Sequence, residues 1–447
     1  MFFLPRDDAS GQAKARDLVV EVLGQVNLEL LGWRPVPVNA EALGEQAART
    51  MPRIEQALIA RPAHLSHDAF ERTLYRARKL IERAARSASL TDFYVPSLSH
   101  RTVAYKGLFV APQLPEFYLD LQDPDFETAL AVFHQRYSTN TFPNWFLAQP
   151  FRLLAHNGEI NTLQGNRNWM RAREADLRSE VWGEQIADLL PIIWEDGSDS
   201  ASLDEALELL VLSGRDLLHA MMMLVPEAWE NMPDMDPTVR AFYRYHAALT
   251  EPWDGPAALA FTDGRIAAAA LDRNGLRPAR YKITEIDDAT VVEKGRLGPG
   301  QMIAVDTVNH RILKNDDVKA FVAGRRPYGE WVKRQFVPLS VADIAANGHE
   351  RDAVEMVRQQ HTFGFSAEEL KFVLEPMGLS GKEPVWSTPR SPCCPSVPAR
   401  SPITSGSASR RSRIRRLTRC VRRWSCRSRP TSVRAAACWR RLRSTRT

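Results

Sequence analysis

The chain has 447 residues, 44% hydrophobic side chains, five cysteines and a formal net charge of +5, enough for two or three domains or one large domain with appendages. No apolar run approaches the ~20 residues a membrane helix needs, and the opening Met1-Phe2-Phe3-Leu4-Pro5-Arg6-Asp7-Asp8 is too short and too acidic for a secretion signal, so no membrane partner and a cytoplasmic location are expected. The net charge hides two unlike parts: Pro384 to Thr447 carries 17 Arg and no Lys, Asp or Glu, and removing those 17 from 59 basic residues leaves 42 against 54 acidic, a net −12 for the body. All five cysteines (Cys393, Cys394, Cys420, Cys426, Cys438) lie in that C-terminal stretch, so the acidic body is free of disulfides and does not read as a nucleic-acid binder.

In chain order, Met1–Leu4 reads as a strand and Ala13–Leu23 as a helix with Ala15, Leu18, Val19 and Val22 on one face. Leu28–Val38 is extended, held open by Pro35 and Pro37, and Ile54–Ile59 is a further strand. Ser66 caps a helix to about Arg86, striped by Phe70, Leu74, Ala77, Ile81 and Ala84. Thr102–Val110 and Phe117–Leu121 are strand candidates. Leu153–Ala155 is a strand entering a His156-Asn157-Gly158 turn, and Asn161–Glu174 a helix. Ser202 and Glu205 match a capping box for a helix whose stripe is Leu203, Ala206, Leu207, Leu210 and Val211. Gly214 ends it and Leu217–Val225 continues, with Met221, Met222 and Met223 read as core packing. Pro237–Leu249 is a helix. Ala257–Leu271 is a hairpin turning at Asp263-Gly264, Arg280–Thr284 and Thr290–Glu293 are short strands, and Met302–Val305 with His310–Leu313 forms another hairpin. Asp316–Phe336 and Val341–Leu374 return to helix. Antiparallel strands flanked by amphipathic helices give a layered α/β fold class.

Chemistry concentrates between Phe133 and Ser200. Arg136 follows a short apolar run, so it is expected at a strand end, where a guanidinium grips a carboxylate with two parallel hydrogen bonds. Asn157-Gly158 offers a side-chain amide and an unhindered backbone N–H to one point, which suits an oxyanion developing on an amide carbonyl. Asp199 can hold an ammonium. Each residue also has a plainer reading: a surface charge, a turn, and a carboxylate favouring the start of the helix it precedes.

Together these pieces resemble a known family. Phe133–Trp145, Leu154–Trp169, Ser198–Trp229, Leu271–Pro278 (Leu-Asp-Arg-Asn-Gly-Leu-Arg-Pro) and Lys294–Met302 are similar to the glutaminase region, of class II glutamine amidotransferase type, in the glutamate synthase family. The resemblance covers roughly Met1 to Val385. It implies the αββα sandwich of the N-terminal nucleophile hydrolases. It implies that Arg136 binds the α-carboxylate of glutamine, that Asp199 and the Gly158 backbone bind the α-amino group, and that Asn157 and the Gly158 N–H form the oxyanion hole. For the intact family protein it further implies ammonia passed to 2-oxoglutarate, an FMN and an iron–sulfur cluster further along, and a small NAD(P)H-oxidising subunit as partner. No cofactor or metal ligand is expected within these 447 residues.

Both ends depart from the family pattern. The family's nucleophile is an N-terminal cysteine, and here no cysteine precedes Cys393, so a chain lacking its first strands and inactive by itself is expected. From Trp386 the text turns Arg-, Ser- and Pro-rich. Family text such as LAVLSERPRPL, read one base late in GC-rich codons, yields Ser391–Ser401, so an out-of-frame tail is expected. The domain organisation expected is residues 1–345 as the amidotransferase domain, 346–385 as the helical start of a following region, and 386–447 as a disordered tail. The alternatives are a non-catalytic glutamine-binding module and a nucleic-acid binder acting through the Arg-rich tail, against which the acidic body argues.

Overall fold

The computed structural model describes residues 1–135, 143–284, 290–337, 352–362 and 366–380. Met1–Phe336 belongs to one compact unit, and the described residues beyond it to a second.

The first part of the large unit is a three-stranded antiparallel sheet in the order β1 (Phe2–Leu4), β3 (Arg53–Ala60), β2 (Glu29–Pro35). Side chains alternate across a strand, and β1 shows it. Phe2 and Leu4 enter a core with α1 (Ala9–Gln25) and α3 (His67–Ser87) through Val19, Leu23, Phe70 and Ile81. Met1 and Phe3 instead join Val36, Ile54, Phe117 and Trp145. Asp8 caps α1 by accepting the Gly11 N–H, and Ser66 caps α3 by accepting that of Ala69, as the sequence predicts for Ser66. A short helix, α2 (Glu45–Arg49), lies between β2 and β3.

Two strand expectations fail here. Residues 102–110 form no strand, because serine hydroxyls take the backbone N–H groups a ladder would use: Ser99 accepts that of Thr102 at 3.2 Å and Ser97 that of Ala104 at 3.1 Å. Phe117–Leu121 instead ends one short helix, α4 (Gln113–Phe117), and enters a 3-10 turn (Leu119–Gln122).

The second part is a five-stranded antiparallel sheet in the order β10 (Arg311–Leu313), β9 (Met302–Asp306), β6 (Ile266–Leu271), β5 (Ala257–Thr262), β4 (Leu154–Gly158). Leu259, Phe261, Ala270 and Met302 of the sheet share a core with α6 (Asp199–Leu212), α7 (Leu217–Leu224), α8 (Pro237–His246), α9 (Asn315–Ala323) and α10 (Tyr328–Gln335), and Leu163 and Met170 of α5 (Leu163–Glu174) pack against it. Both predicted hairpins form, and Gly264 turns the first with φ +85°, a conformation glycine adopts without steric cost. Met221, Met222 and Met223 are buried in this core, as expected. Asp316–Phe336 is two helices, because Pro327, which lacks an N–H to donate, stands between α9 and α10. β7 (Arg280–Thr284) and β8 (Val291–Arg296) form a separate two-stranded sheet.

The predicted capping box at Ser202 is also corrected. Ser198 is the cap, accepting the Ala201 N–H, and α6 begins at Asp199. Ser202 lies one turn in, and buried Glu205 accepts the Trp194 N–H at 2.9 Å.

The described part of the second unit is helical. Ala353–Thr362 forms one helix, and Ser366 with Glu369 forms a capping box for Ala367–Glu369, which runs on through a π-helical turn (Leu370–Leu374) into Glu375–Ser380. The predicted helix from Val341 begins outside the described residues. Among the described residues no helix is long and apolar enough to cross a membrane.

Candidate functional site

The expected Asn157-Gly158 turn is the end of strand β4. Its ladder to β5 is continued on both sides by Thr262 N–H donating to the Leu153 carbonyl (2.7 Å) and Glu159 N–H to that of Pro256 (3.0 Å). Odd-numbered residues therefore bond to β5 and even-numbered ones face the outer edge. That edge is largely closed by side chains. Asp204 Oδ1 accepts the Leu154 N–H at 3.1 Å. The Gln149 amide does the work of a neighbouring strand at His156, its Oε1 accepting the His156 N–H at 2.6 Å and its Nε2 donating to the His156 carbonyl at 2.9 Å. Gly158 is the last residue in this series, with its N–H on the outer edge.

Glycine at 158 answers a close approach. A Cβ there would sit 1.8 Å from the Pro256 carbonyl oxygen and 2.8 Å from His156 Nε2. Beside it Asn157 is solvent-exposed, and its amide makes no hydrogen bond among the described residues.

Asp199 reaches this strand end from the first turn of α6. Its Oδ2 accepts the Ile160 N–H at 2.9 Å, and its Oδ1 accepts the Ser200 N–H at 2.7 Å and the Ser200 hydroxyl at 3.2 Å. His156 Nδ1 lies 2.9 Å from Ser200 Oγ and 3.8 Å from Asp199 Oδ2. Burial pushes the His156 imidazole below its usual range, against the pull of Asp199 and with the added push of the His134 and Arg277 charges, which favours the neutral ring. Arg167 fixes the approach to α6 by donating to Ser202 Oγ at 3.0 Å and to the Gly197 carbonyl.

The other end of β4 is pinned from inside the protein. Asp204, fully buried, accepts the N–H groups of Arg152 (3.2 Å), Leu153 (2.8 Å) and Leu154. Behind it Arg78 donates to Glu82 at 2.8 Å and to Glu208, while Arg152 also donates to Glu82 at 2.8 Å. This network joins α3, α6 and β4.

Three of the four residues singled out in the sequence, Asn157, Gly158 and Asp199, thus converge on one strand end. Arg136 lies outside the described residues; the residues leading to it, up to Gln135, form no strand. A cavity of about 1390 Å³ runs beside the first half of β4, lined among others by His134, Gln135, Gln149, Phe151 and Leu154. Asn157, Gly158 and Asp199 are not among its described lining residues. Among the described residues no group of three or more His, Cys, Asp or Glu is placed to hold a metal. Sequence reasoning missed Gln149, His156, Ser200, Arg167 and Asp204. Adjacency to Asn157 and Asp199 was a signal for His156 and Ser200 alone.

Residues 1–331 match the class-II glutamine amidotransferases, and the chain belongs to that family, whose domain is of the N-terminal nucleophile hydrolase type. Within it the similarity is to glutamate synthases. The chain is 47% identical over 403 residues to ferredoxin-dependent glutamate synthase 2 of Synechocystis sp., covering 86% of this chain and 26% of that one. It is 46% identical over 407 residues to the chloroplastic ferredoxin-dependent glutamate synthase of Oryza sativa (86% and 25%). It is 42% identical over 402 residues to the glutamate synthase [NADPH] large chain of Azospirillum brasilense (86% and 26%). The chain therefore spans about a quarter of the length of the curated relatives it matches.

Proposed function

We propose that the junction of β4 and α6 is a binding site for free L-glutamine. The observation that carries this reading is the convergence of Asn157, Gly158 and Asp199 at one strand end, in a chain of the class-II amidotransferase family. In this reading Asp199 takes the α-ammonium together with the Gly158 backbone, and Arg136 takes the α-carboxylate in a two-point grip. The Asn157 amide and the Gly158 N–H face the side-chain carbonyl as an oxyanion hole. Such donors act most strongly on charge that develops during attack, so they serve amide hydrolysis better than they serve ground-state binding.

Hydrolysis also needs a nucleophile beside those donors. The sequence holds no cysteine before Cys393, so this 447-residue polypeptide by itself binds glutamine and does not turn it over. In a longer protein of the glutamate synthase kind, the same site supplies ammonia for transfer to 2-oxoglutarate, and the remainder of the large subunit is its partner. The flavin and iron–sulfur cluster of that larger reaction enter no step described for these residues.

Isothermal titration of the full chain tests the reading. L-glutamine is expected to bind, and N-acetyl-L-glutamine, which lacks the ammonium, is expected to bind at least tenfold more weakly. Equal affinity for the two, or no binding of either, overturns the site. Sustained ammonia release from the purified chain overturns the non-catalytic part.

A further inference from the structure

We propose that His156 is a positioning residue, which ties the Asp199 carboxylate to the Asn157-Gly158 strand end so that both ends of one bound amino acid are held in register. This deepens the glutamine reading and rests on it. His156 directly precedes Asn157, so any displacement of its ring is felt in the backbone that presents the Asn157 amide and the Gly158 N–H. The ring is 2% exposed, and its Nδ1 is 2.9 Å from Ser200 Oγ.

The hydrogen-bond directions follow from what each atom can do. An ionised carboxylate only accepts, so the Ser200 hydroxyl proton goes to Asp199 Oδ1, 3.2 Å away. Ser200 Oγ is then free to accept, and a neutral imidazole has one proton to give, so His156 donates from Nδ1. The result is a directed chain, His156 Nδ1–H to Ser200 Oγ–H to Asp199 Oδ1, whose members polarise one another. The opposite nitrogen, Nε2, carries the lone pair. It is buried without a partner among the described residues and lies against Gly158, where an added Cβ would come within 2.8 Å of it. The imidazole is thus clamped between the oxyanion-hole glycine and the ammonium-binding carboxylate. Asp199 is held from three sides, by Ile160 N–H on Oδ2 and by the two Ser200 donors on Oδ1. Two of those three anchors lead back, through Ile160 and through Ser200 and His156, to the segment that carries Asn157 and Gly158.

Three variants of the full chain test this. His156→Asn keeps an N–H donor near the Nδ1 position, His156→Phe fills the space without a donor, and Ser200→Ala removes the link. His156→Phe and Ser200→Ala are each expected to weaken glutamine binding about tenfold, the effect of one lost hydrogen bond in a charged chain. The double variant should be no weaker than either single one, since all three act through one chain. His156→Asn should stay within about threefold of the parent. Wild-type affinity in His156→Phe assigns the ring to space filling, and additive losses in the double variant show that ring and hydroxyl act independently; either result overturns the proposal. A second readout needs no ligand: Ser200→Ala should shift the Gly158 backbone amide resonance in the parent background and leave it unmoved in the His156→Phe background. Equal shifts in both backgrounds overturn the proposal even if glutamine binds. If the coupling is present and the parent fails to bind glutamine, it is the glutamine reading that falls.

Discussion

Asp199 Oδ2 accepts the backbone N–H of Ile160 at 2.9 Å, and this contact joins the first turn of α6 to the chain leaving β4. An acidic side chain at this position of a helix is favoured by the N-terminal end of the helix dipole. Here it is also one of the links that bring two segments about 40 residues apart in sequence to the same point.

Replacing Asp199 by Asn keeps the shape and removes the charge. A charged hydrogen bond is worth about 1.5–3 kcal/mol, so glutamine affinity should fall roughly 10- to 150-fold. Asn157→Ala should change it by no more than about threefold, because its donor faces charge that appears only during reaction. Calorimetric titration of both variants with glutamine checks the contrast, and equal losses would contradict it.

Gly158→Ala should destabilise the domain. The new methyl group would meet the Pro256 carbonyl oxygen at 1.8 Å, a backbone atom of the adjoining strand that cannot rotate away. Overpacking of this kind costs about 1–3 kcal/mol. A lowered melting temperature, together with loss of glutamine binding, is the expected result.

Arg78→Met should cost more. Arg78 is 1% exposed and stands between Glu82 and Glu208, and burial pushes the Glu208 carboxyl up to about 7 even with the arginine present. Removing one member of a buried ionic group leaves its partners without compensation, at about 3–5 kcal/mol. Denaturant unfolding of the variant should show this as a large drop in midpoint. Since Arg152 and Asp204 connect the same network to β4, glutamine binding should weaken with it.

Stability should fall below pH 6.5 because of a buried histidine pair. His246 Nδ1 donates to the Phe242 carbonyl at 2.8 Å, and its Nε2 lies 3.0 Å from His219 Nε2, which the Arg215 guanidinium also faces at 3.3 Å. Burial first, then neighbouring positive charge, lowers His219 to about 2, and burial, against the Phe242 carbonyl and aided by Arg215, lowers His246 to about 3. Both stay neutral in the folded state while the unfolded chain takes up protons from pH 6.5 downward, so stability present above 6.5 is lost as pH falls towards 3. At pH 4.5 each histidine accounts for a loss on the order of 2–3 kcal/mol. Glu208 acts in the opposite sense: its raised pKa favours the fold at low pH and loses that contribution as pH rises from 4.5 through 7. The His219→Leu variant isolates the histidine effect. Its unfolding free energy should change less between pH 7 and 4.5 than that of the parent, by about 2–3 kcal/mol.

The sequence by itself determined what depends on local pattern. Helical spacing of apolar residues placed α1, α3, α7 and α8, Ser66 announced its own helix, and Asp263-Gly264 announced its hairpin. Family motifs singled out Asn157, Gly158 and Asp199, which converge, and Arg136, which lies outside the described residues. Only the tertiary structure decided the rest, because those features depend on groups distant in sequence. Residues 102–110 alternate like a strand, yet Ser97 and Ser99 take the N–H groups that a partner strand would need. Asn157-Gly158 reads as a turn, yet pairing with β5 extends it, and the glycine is required by Pro256 rather than by backbone conformation. Ser202 and Glu205 have the spacing of a cap, yet Arg167 and Trp194 claim them one turn inside α6. Local propensity is worth tenths of a kcal/mol per residue, whereas a buried polar group left without a partner costs about 1–3 kcal/mol. Where the two disagree, the partners supplied by the fold decide the structure.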